Sequence, residues 1–248
     1  MISANELKFG YDRAPLFDSL SCNMANGRIT ALLGPNGSGK STLLKLCGGL
    51  LNPISGSVAL DGTDISSLSP KQLAKRLSFL PQSRPTPAIT VAALVANGRF
   101  PYRGISGRLS ADDRIAIEKA LLMTSLQDKA DRELRTLSGG ERQKAYLAML
   151  IAQETPHLLL DEPTTYLDIN HRIELMELLH TLRDEDKCIV AVLHDIDLAA
   201  EYCDNAIVLS NGSIIHEGSA AAICETDALQ IAYSVEPVMN AGLRFRRI

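Results

Sequence analysis

The most chemically loaded stretch of the 248-residue chain is Gly34-Pro-Asn-Gly-Ser-Gly39-Lys40-Ser41-Thr42. Its spacing fits G-x-x-x-x-G-K-[ST], a loop that grips the phosphates of a nucleoside triphosphate. Glycines Gly34, Gly37 and Gly39 let the backbone approach the phosphates, and N–H groups around Asn36 and Ser38 form an anion cradle with a helix N-terminus. Lys40 is expected to reach the β- and γ-phosphates, and Ser41 to place its hydroxyl on Mg²⁺. The apolar run Arg28–Leu33 before the loop reads as a buried strand, and Ser41–Leu50 after it as a helix, so the context is the one the motif needs. Taken alone, the loop says only that a triphosphate binds.

A second group of candidates is His157-Leu-Leu-Leu-Asp161-Glu162, an apolar strand that ends in two carboxylates. Acids at the carboxyl end of a parallel strand lie at the rim where ligands bind. Asp161 is the candidate Mg²⁺ ligand and Glu162 the candidate general base for an attacking water. Upstream, Leu137-Ser-Gly-Gly-Glu141 opens an apolar helix through Gln153. There Ser138 and Glu141 form a capping box, and Gly139 and Gly140 leave N–H groups open at the helix start.

The elements that must position these groups alternate between strand and helix. Strands are expected at Glu6–Tyr11, Ser57–Leu60, Ser78–Leu80, His157–Asp161 and Cys188–Leu193, and a helix at Asn170–Leu182 with Leu175, Leu178, Leu179 and Leu182 inward. Asn211-Gly212 between Ala206–Leu209 and Ser213–His216 predicts a hairpin. Between Gln82 and Thr136 strand signals stop: Thr90–Asn97 has helical composition, and Ser110 and Asp113 form a capping box. The fold expected is α/β, with a mainly parallel central sheet, antiparallel elements near both ends and a helical insert over about 83–155. The whole of 1–248 is expected to be one domain.

Composition narrows the function. Net charge is −4, with no basic stripe, which argues against nucleic acid as a partner. Cys22, Cys47, Cys188, Cys203 and Cys224 are scattered without a C-x-x-C pair and read as reduced, mostly buried thiols. No apolar run is long enough to cross a bilayer, and Met1–Lys8 lacks a signal-peptide layout, so a membrane function would come through a partner chain.

Taken in order, these motifs resemble those of the nucleotide-binding subunits of ABC transporters, over nearly the whole chain. The resemblance implies a P-loop ATPase of the ABC type, using ATP and Mg²⁺. It gives Tyr11 to adenine stacking, Gln82 to Mg²⁺ and to signalling with membrane subunits, and Ser138, Gly139 and Gly140 to the signature that closes over the γ-phosphate. Asp168 becomes the residue of the loop crossing a dimer interface, Glu162 the catalytic acid and His194 the switch histidine. It further implies a head-to-tail dimer in which each copy's signature completes the other's ATP site.

The segments Asp161–His171 and Asn97-Gly-Arg-Phe-Pro101-Tyr are similar to those of the subfamily energising ferric-siderophore uptake; haem and cobalamin systems are close relatives. Residues Gln82–Arg103 would then receive a helix of an integral membrane permease. A substrate-binding protein would act upstream, and the chain would sit peripherally on the cytoplasmic face of the inner membrane. Subunits of exporters share the ATPase motifs. Chromosome-type relatives need a long coiled coil that the short gap between Gln82 and Leu137 leaves no room for. Two residues depart from the common pattern: Tyr166 stands where small residues are usual, and Glu141 where Gln is. The tail from Ser219, with Arg244, Arg246 and Arg247, is read as a packed terminus.

Overall fold

The computed structural model describes residues 1–11, 14–104, 107–165, 167–239 and 243–247. In chain order the first elements are β1 (Ile2–Tyr11), β2 (Ala14–Met24), β3 (Arg28–Leu33), α1 (Lys40–Cys47), β4 (Ser55–Leu60), β5 (Thr63–Asp64), α2 (Pro70–Leu73) and β6 (Leu77–Leu80). The insert follows as α3 (Val91–Asn97), α4 (Ala111–Met123) and α5 (Gly139–Ala152). Then come β7 (His157–Asp161), α6 (Ile169–Asp184), β8 (Cys188–Val192), α7 (Ile196–Tyr202), β9 (Asn205–Ser210) and β10 (Ser213–Ser219). The chain closes with α8 (Ala228–Tyr233) and the hairpin strands β11 (Val235–Met239) and β12 (Leu243–Arg247).

Two sheets carry the fold. The larger has the order β10-β9-β3-β8-β7-β6, with every neighbouring pair parallel except β9–β10. The smaller is antiparallel, in the order β2-β1-β4-β5. This is the α/β architecture expected from the sequence, with a mainly parallel sheet, antiparallel strands at the N-terminal side and a helical insert between β6 and β7.

Side-chain alternation explains how the large sheet buries both faces. On β3, Ile29, Ala31 and Leu33 pack into a core shared with Leu175, Met176 and Leu179 of α6 and with the insert. Leu32 of β3 and Val190 and Val192 of β8 point the other way, into a second core with Leu43 and Leu44 of α1 and the antiparallel sheet. Phe17 and Met24 of β2 cover that second core and are fully buried.

β5, β11 and β12 are additions to the sequence expectation, and β1 and β2 differ from it for one reason. β1 starts at Ile2 rather than Glu6, and β2 was not anticipated. Both contain bulges: pairing shifts between Ala4 and Leu7, and again between Leu7 and Phe9. Glu6 takes a left-handed φ of 46° at the first of these. A bulge resets the in–out alternation, so a period-two pattern is not continuous along either strand. α1 stops at Cys47 instead of Leu50 because Gly48 and Gly49 follow, the latter with φ 67°.

The insert is fastened by a buried ion pair. Arg99 donates from Nε to Asp113 at 2.8 Å, and from Nη1 to the Ala152 carbonyl at 2.8 Å and Glu154 at 2.7 Å. Arg99 and Asp113 are both buried, so each needs the other to be tolerated there. Asp113 is also the reciprocal partner of Ser110 in the capping box that starts α4, as the sequence predicts. Tyr102 lies 4.0 Å from the Arg99 guanidinium and adds a cation–π contact. The segment Asn97–Tyr102 is therefore a structural latch as well as a surface.

Candidate functional site: a nucleotide cleft and a detached helix start

Four adjacent parallel strands end at one rim, and the candidate residues follow them. Gly34 succeeds β3, Asp161 ends β7, His194 comes two residues after β8, and Gln82 two residues after β6. A cleft of about 370 Å³ opens there, lined by Tyr11, Leu16, Asn36, Gly37, Gly39, Lys40, Ser41, Thr42 and Glu162.

The loop's geometry suits an anion. Gly39 has φ 106°, and a Cβ on it would meet the Phe17 ring at 2.7 Å, so only glycine fits between loop and core. Lys40 is buried and donates to the carbonyl oxygens of Gly34 at 2.7 Å and Pro35 at 3.0 Å. Burial lowers the Lys40 pKa, while the carboxylates of Glu162 and Asp161 pull it back up. Ser38 Oγ is buried without a hydrogen-bond partner. A cationic side chain parked on backbone carbonyls and an orphaned hydroxyl, in a loop at the start of α1, fit a phosphate group.

The acids are differently placed. Asp161 is buried and accepts from Ser41 Oγ at 2.7 Å. Burial raises its pKa against the opposing pull of that hydrogen bond. A hydroxyl and a carboxylate in contact are hard oxygen donors of the kind Mg²⁺ takes, with the rest of its shell left for phosphate and water. Glu162 stands one residue on, in a left-handed conformation with φ 50° that is unfavourable for a side-chain-bearing residue. Its Oε1 lies 2.8 Å from His194 Nε2, and its Oε2 accepts from Thr165 Oγ1 at 3.0 Å. Burial pushes the Glu162 pKa up, but His194, Thr165 and a Gln82 hydrogen bond outweigh it and hold the carboxyl below its usual range. Glu162 is thus ionised at neutral pH and fixed on both oxygens.

Tyr11 is half exposed at the cleft edge, its hydroxyl 3.2 Å from Thr42 Oγ1 and its ring edge-on to Phe9 at 5.0 Å. That leaves a ring face free for a base to stack on.

Ser138, Gly139, Gly140 and Asp168 do not line this cleft. Ser138 caps α5, with the expected reciprocal box: its N–H donates to Glu141 at 2.8 Å, and its Oγ accepts from the Glu141 N–H at 3.3 Å. Ser138 and Gly139 are exposed, and nothing lies within 4 Å of where a Gly139 side chain would begin. Gly139 borders a separate hollow of about 260 Å³ shared with Gln82, Arg84, Gln143, Tyr146 and Thr165. Asp168 caps α6, accepting from the His171 N–H at 2.9 Å and lying 2.7 Å from His171 Nδ1.

Several contributors escaped the sequence reading. His171, given no role there, packs its ring so close to Gly140 that a Cβ would come within 2.9 Å of it. Gln143 is buried; it donates to the Pro163 carbonyl at 2.6 Å, beside Glu162, and accepts from Arg84, two residues past Gln82. Tyr146, one turn on along α5, donates to the Pro85 carbonyl. The Q-x-x-Y spacing on one helix face is the signal that could have flagged this link. Thr165 lies close in sequence to Glu162 but belongs to no motif. Tyr166 falls outside the described residues. The arginines Arg244, Arg246 and Arg247 lie on β12.

The family model for ABC transporters matches residues 17–165. A probable siderophore transport ATP-binding protein of Bacillus subtilis, YusV, is 44% identical over 94% of this chain and 86% of its own length. An inward-facing metal-chelate type ABC transporter matches in structure with a TM-score of 0.84 and 26% identity, over 100% of this chain and 96% of that one. The dimeric bacterial ABC transporter cassette MJ0796 matches with a TM-score of 0.76 and 27% identity, over 89% of this chain and 99% of that one. The chain belongs to the ABC transporter family: it is an ATP-hydrolysing, ATP-binding subunit related to the ATPases of ferric-siderophore and metal-chelate importers. Among the described residues no helix is long and apolar enough to cross a membrane.

Glu141 yields a prediction about the signature helix. Its pairing with Lys129, with the Ser138 N–H second, lowers its pKa from 4.5 to about 2. A lowered folded-state pKa means the stabilisation is complete above the ordinary value and is lost as pH falls through the folded one. Glu141→Gln keeps the cap and loses the ion pair. Its melting temperature is predicted to lie below the parent's at pH 7, with the gap closing as the pH drops below about 4.5. A gap that is constant with pH would contradict this.

Proposed function

We propose that the whole chain, 1–248, works as one ATP-binding domain that powers an importer by closing and opening as a head-to-tail dimer. The observation that carries this is the separation of the helix start Ser138–Gly140 from the cleft around Lys40 and Glu162. An exposed helix N-terminus with small residues suits the γ-phosphate of a neighbour's ATP, since its first N–H groups have no partner inside the helix. The match to a dimeric cassette supports the same arrangement.

In this reading Tyr11 stacks on adenine. Lys40 exchanges its contacts with the Gly34 and Pro35 carbonyls for the β- and γ-phosphates, helped by N–H groups from Asn36 to Thr42 beyond the Gly34 turn. Ser41, Gln82 and Asp161 hold Mg²⁺, which would neutralise phosphate charge as it develops. Glu162 accepts a proton from the attacking water, and its left-handed backbone, with Thr165 and His194 on its two oxygens, keeps it aimed. His194 acts as the switch histidine. The partner copy supplies Ser138, Gly139, Gly140 and Asp168. ATP has a higher affinity for the closed pair than for the open one, and hydrolysis removes the difference; that cycle is the work done on the permease.

The docking surface for the permease is the groove of about 590 Å³ between Pro70 and Lys71 of α2, the Ala74 that follows it, and Phe100, Pro101 and Arg103. Phe100 is 74% exposed at its edge, an apolar anchor held by the Arg99 latch. The chain would then lie on the cytoplasmic face of the inner membrane, with a substrate-binding protein upstream. The YusV relative supports a ferric siderophore as cargo.

The test is Glu162→Gln. We predict unchanged ATP affinity and a loss of turnover by more than about a hundredfold, leaving a stable dimer with trapped ATP. Turnover at the parent's rate would remove Glu162 from the base role. Lys40→Ala is the control and should abolish binding. For the cargo, the chain is predicted to co-purify from membranes with a many-span permease and a binding protein that holds a ferric siderophore. Haem or a cobalamin in that binding protein would redirect the reading to those importers; a partner without one would favour export.

A further inference from the structure

Gly34 is gripped at both ends. Its carbonyl accepts from Lys40 Nζ at 2.7 Å. Its N–H donates to the Tyr233 hydroxyl at 2.6 Å. Tyr233 is the last residue of α8, 199 positions away in the chain. Between these two bonds lies a single Cα with φ 142°. That glycine cannot be stiffened by a side chain: a Cβ would fall 2.2 Å from the Leu209 carbonyl oxygen. Crowding therefore requires glycine at this position, and the Tyr233 hydroxyl adds a restraint from outside the loop to the one Lys40 supplies from within it.

α8 is built to supply that restraint. Ala228 and Leu229 are buried in the main core, and the Tyr233 ring packs against the same core. Ser234 ends the helix in a left-handed conformation, φ 55°, and the chain passes directly into β11. The Tyr233 hydroxyl is thus carried on a fixed ring at the end of a fixed helix.

We propose that Tyr233 is a positioning residue for the phosphate loop: by holding the Gly34 N–H it fixes the peptide from which the loop leaves β3, and so makes the C-terminal helix part of the ATP grip. This rests on the reading of Gly34–Thr42 as the phosphate-binding loop. It gives the tail a role beyond that of a packed terminus, since any partner that shifts α8 or the β11–β12 hairpin would loosen that grip.

Tyr233→Phe keeps the packed ring and removes only the hydroxyl. A neutral hydrogen bond is worth about 1 kcal/mol, so the expected change is a rise of about fivefold in the Kd and KM for MgATP. kcat should stay within about twofold, because Tyr233 touches no reacting group. A role in stability alone would lower the melting temperature and leave the affinity unchanged; an unchanged affinity in the folded variant overturns the proposal. Should the variant fail to fold, hydrogen exchange at the Gly34 amide of the parent decides: slow exchange supports the bond, and exchange at the rate of an open loop overturns it. Lys40→Ala separates the two readings. If it loses ATP binding while Tyr233→Phe does not, only the role of Tyr233 falls; if Lys40→Ala binds normally, the phosphate-loop reading falls with it.

Discussion

The parallel register of β3, β8, β7 and β6 is the constraint on which the rest depends. Val192 of β8 is paired with Leu32 of β3 on one side and Asp161 of β7 on the other, and Leu80 of β6 pairs with Leu160. Two adjacent rungs of the sheet therefore fix the relative height of the loop after Leu33, the two acids and the segment leading to His194. A slip of one residue would send Asp161 to the other face and break the 2.7 Å contact with Ser41. The strands can hold this register because both faces are buried, and each face is set by alternate apolar residues. The site's precision is thus a consequence of hydrophobic packing some distance beneath it.

On top of that rigid rim stands an insert that is tied to it by a few polar links. Arg99, Asp113 and Glu154 lock the insert's own helices together. Gln143 and Tyr146 reach from α5 to the chain just after Gln82, and Gln143 also reaches the carbonyl after Glu162. The chain after Gln82 and the carbonyl after Glu162 are thereby joined through Gln143 of α5 by two hydrogen bonds. Asp168 and His171, beside Gly140, connect the other edge of the same helix start to the segment after the acids.

Much of this was legible in the sequence. The phosphate loop, the acidic strand and the capped helix at Ser138 each have a local cause: glycine geometry, an apolar run ending in carboxylates, a reciprocal cap. Each stands where the pattern put it. What was not legible has non-local causes. Bulges in β1 and β2 broke the alternation that reveals a strand. Tyr233 and Gln143 act through side chains that meet residues far away in the chain, and the Q-x-x-Y spacing that marks Gln143 does not reveal its partners. Thr165 and His171 lie close to motif residues, yet only the turn after Glu162 and the packing of α6 on Gly140 bring them into play.

The claim that the ATP site is shared between two copies is tested most directly by counting trapped nucleotide in a mixed dimer. Both chains would carry Glu162→Gln, one with Ser138→Arg and the other with Lys40→Ala. If each signature serves the opposite loop, both defects fall in one site and the other stays whole, so the purified mixed dimer retains one ATP. If each chain completes its own site, both sites are defective and no ATP is retained. One trapped ATP is the predicted result, and none would contradict the account.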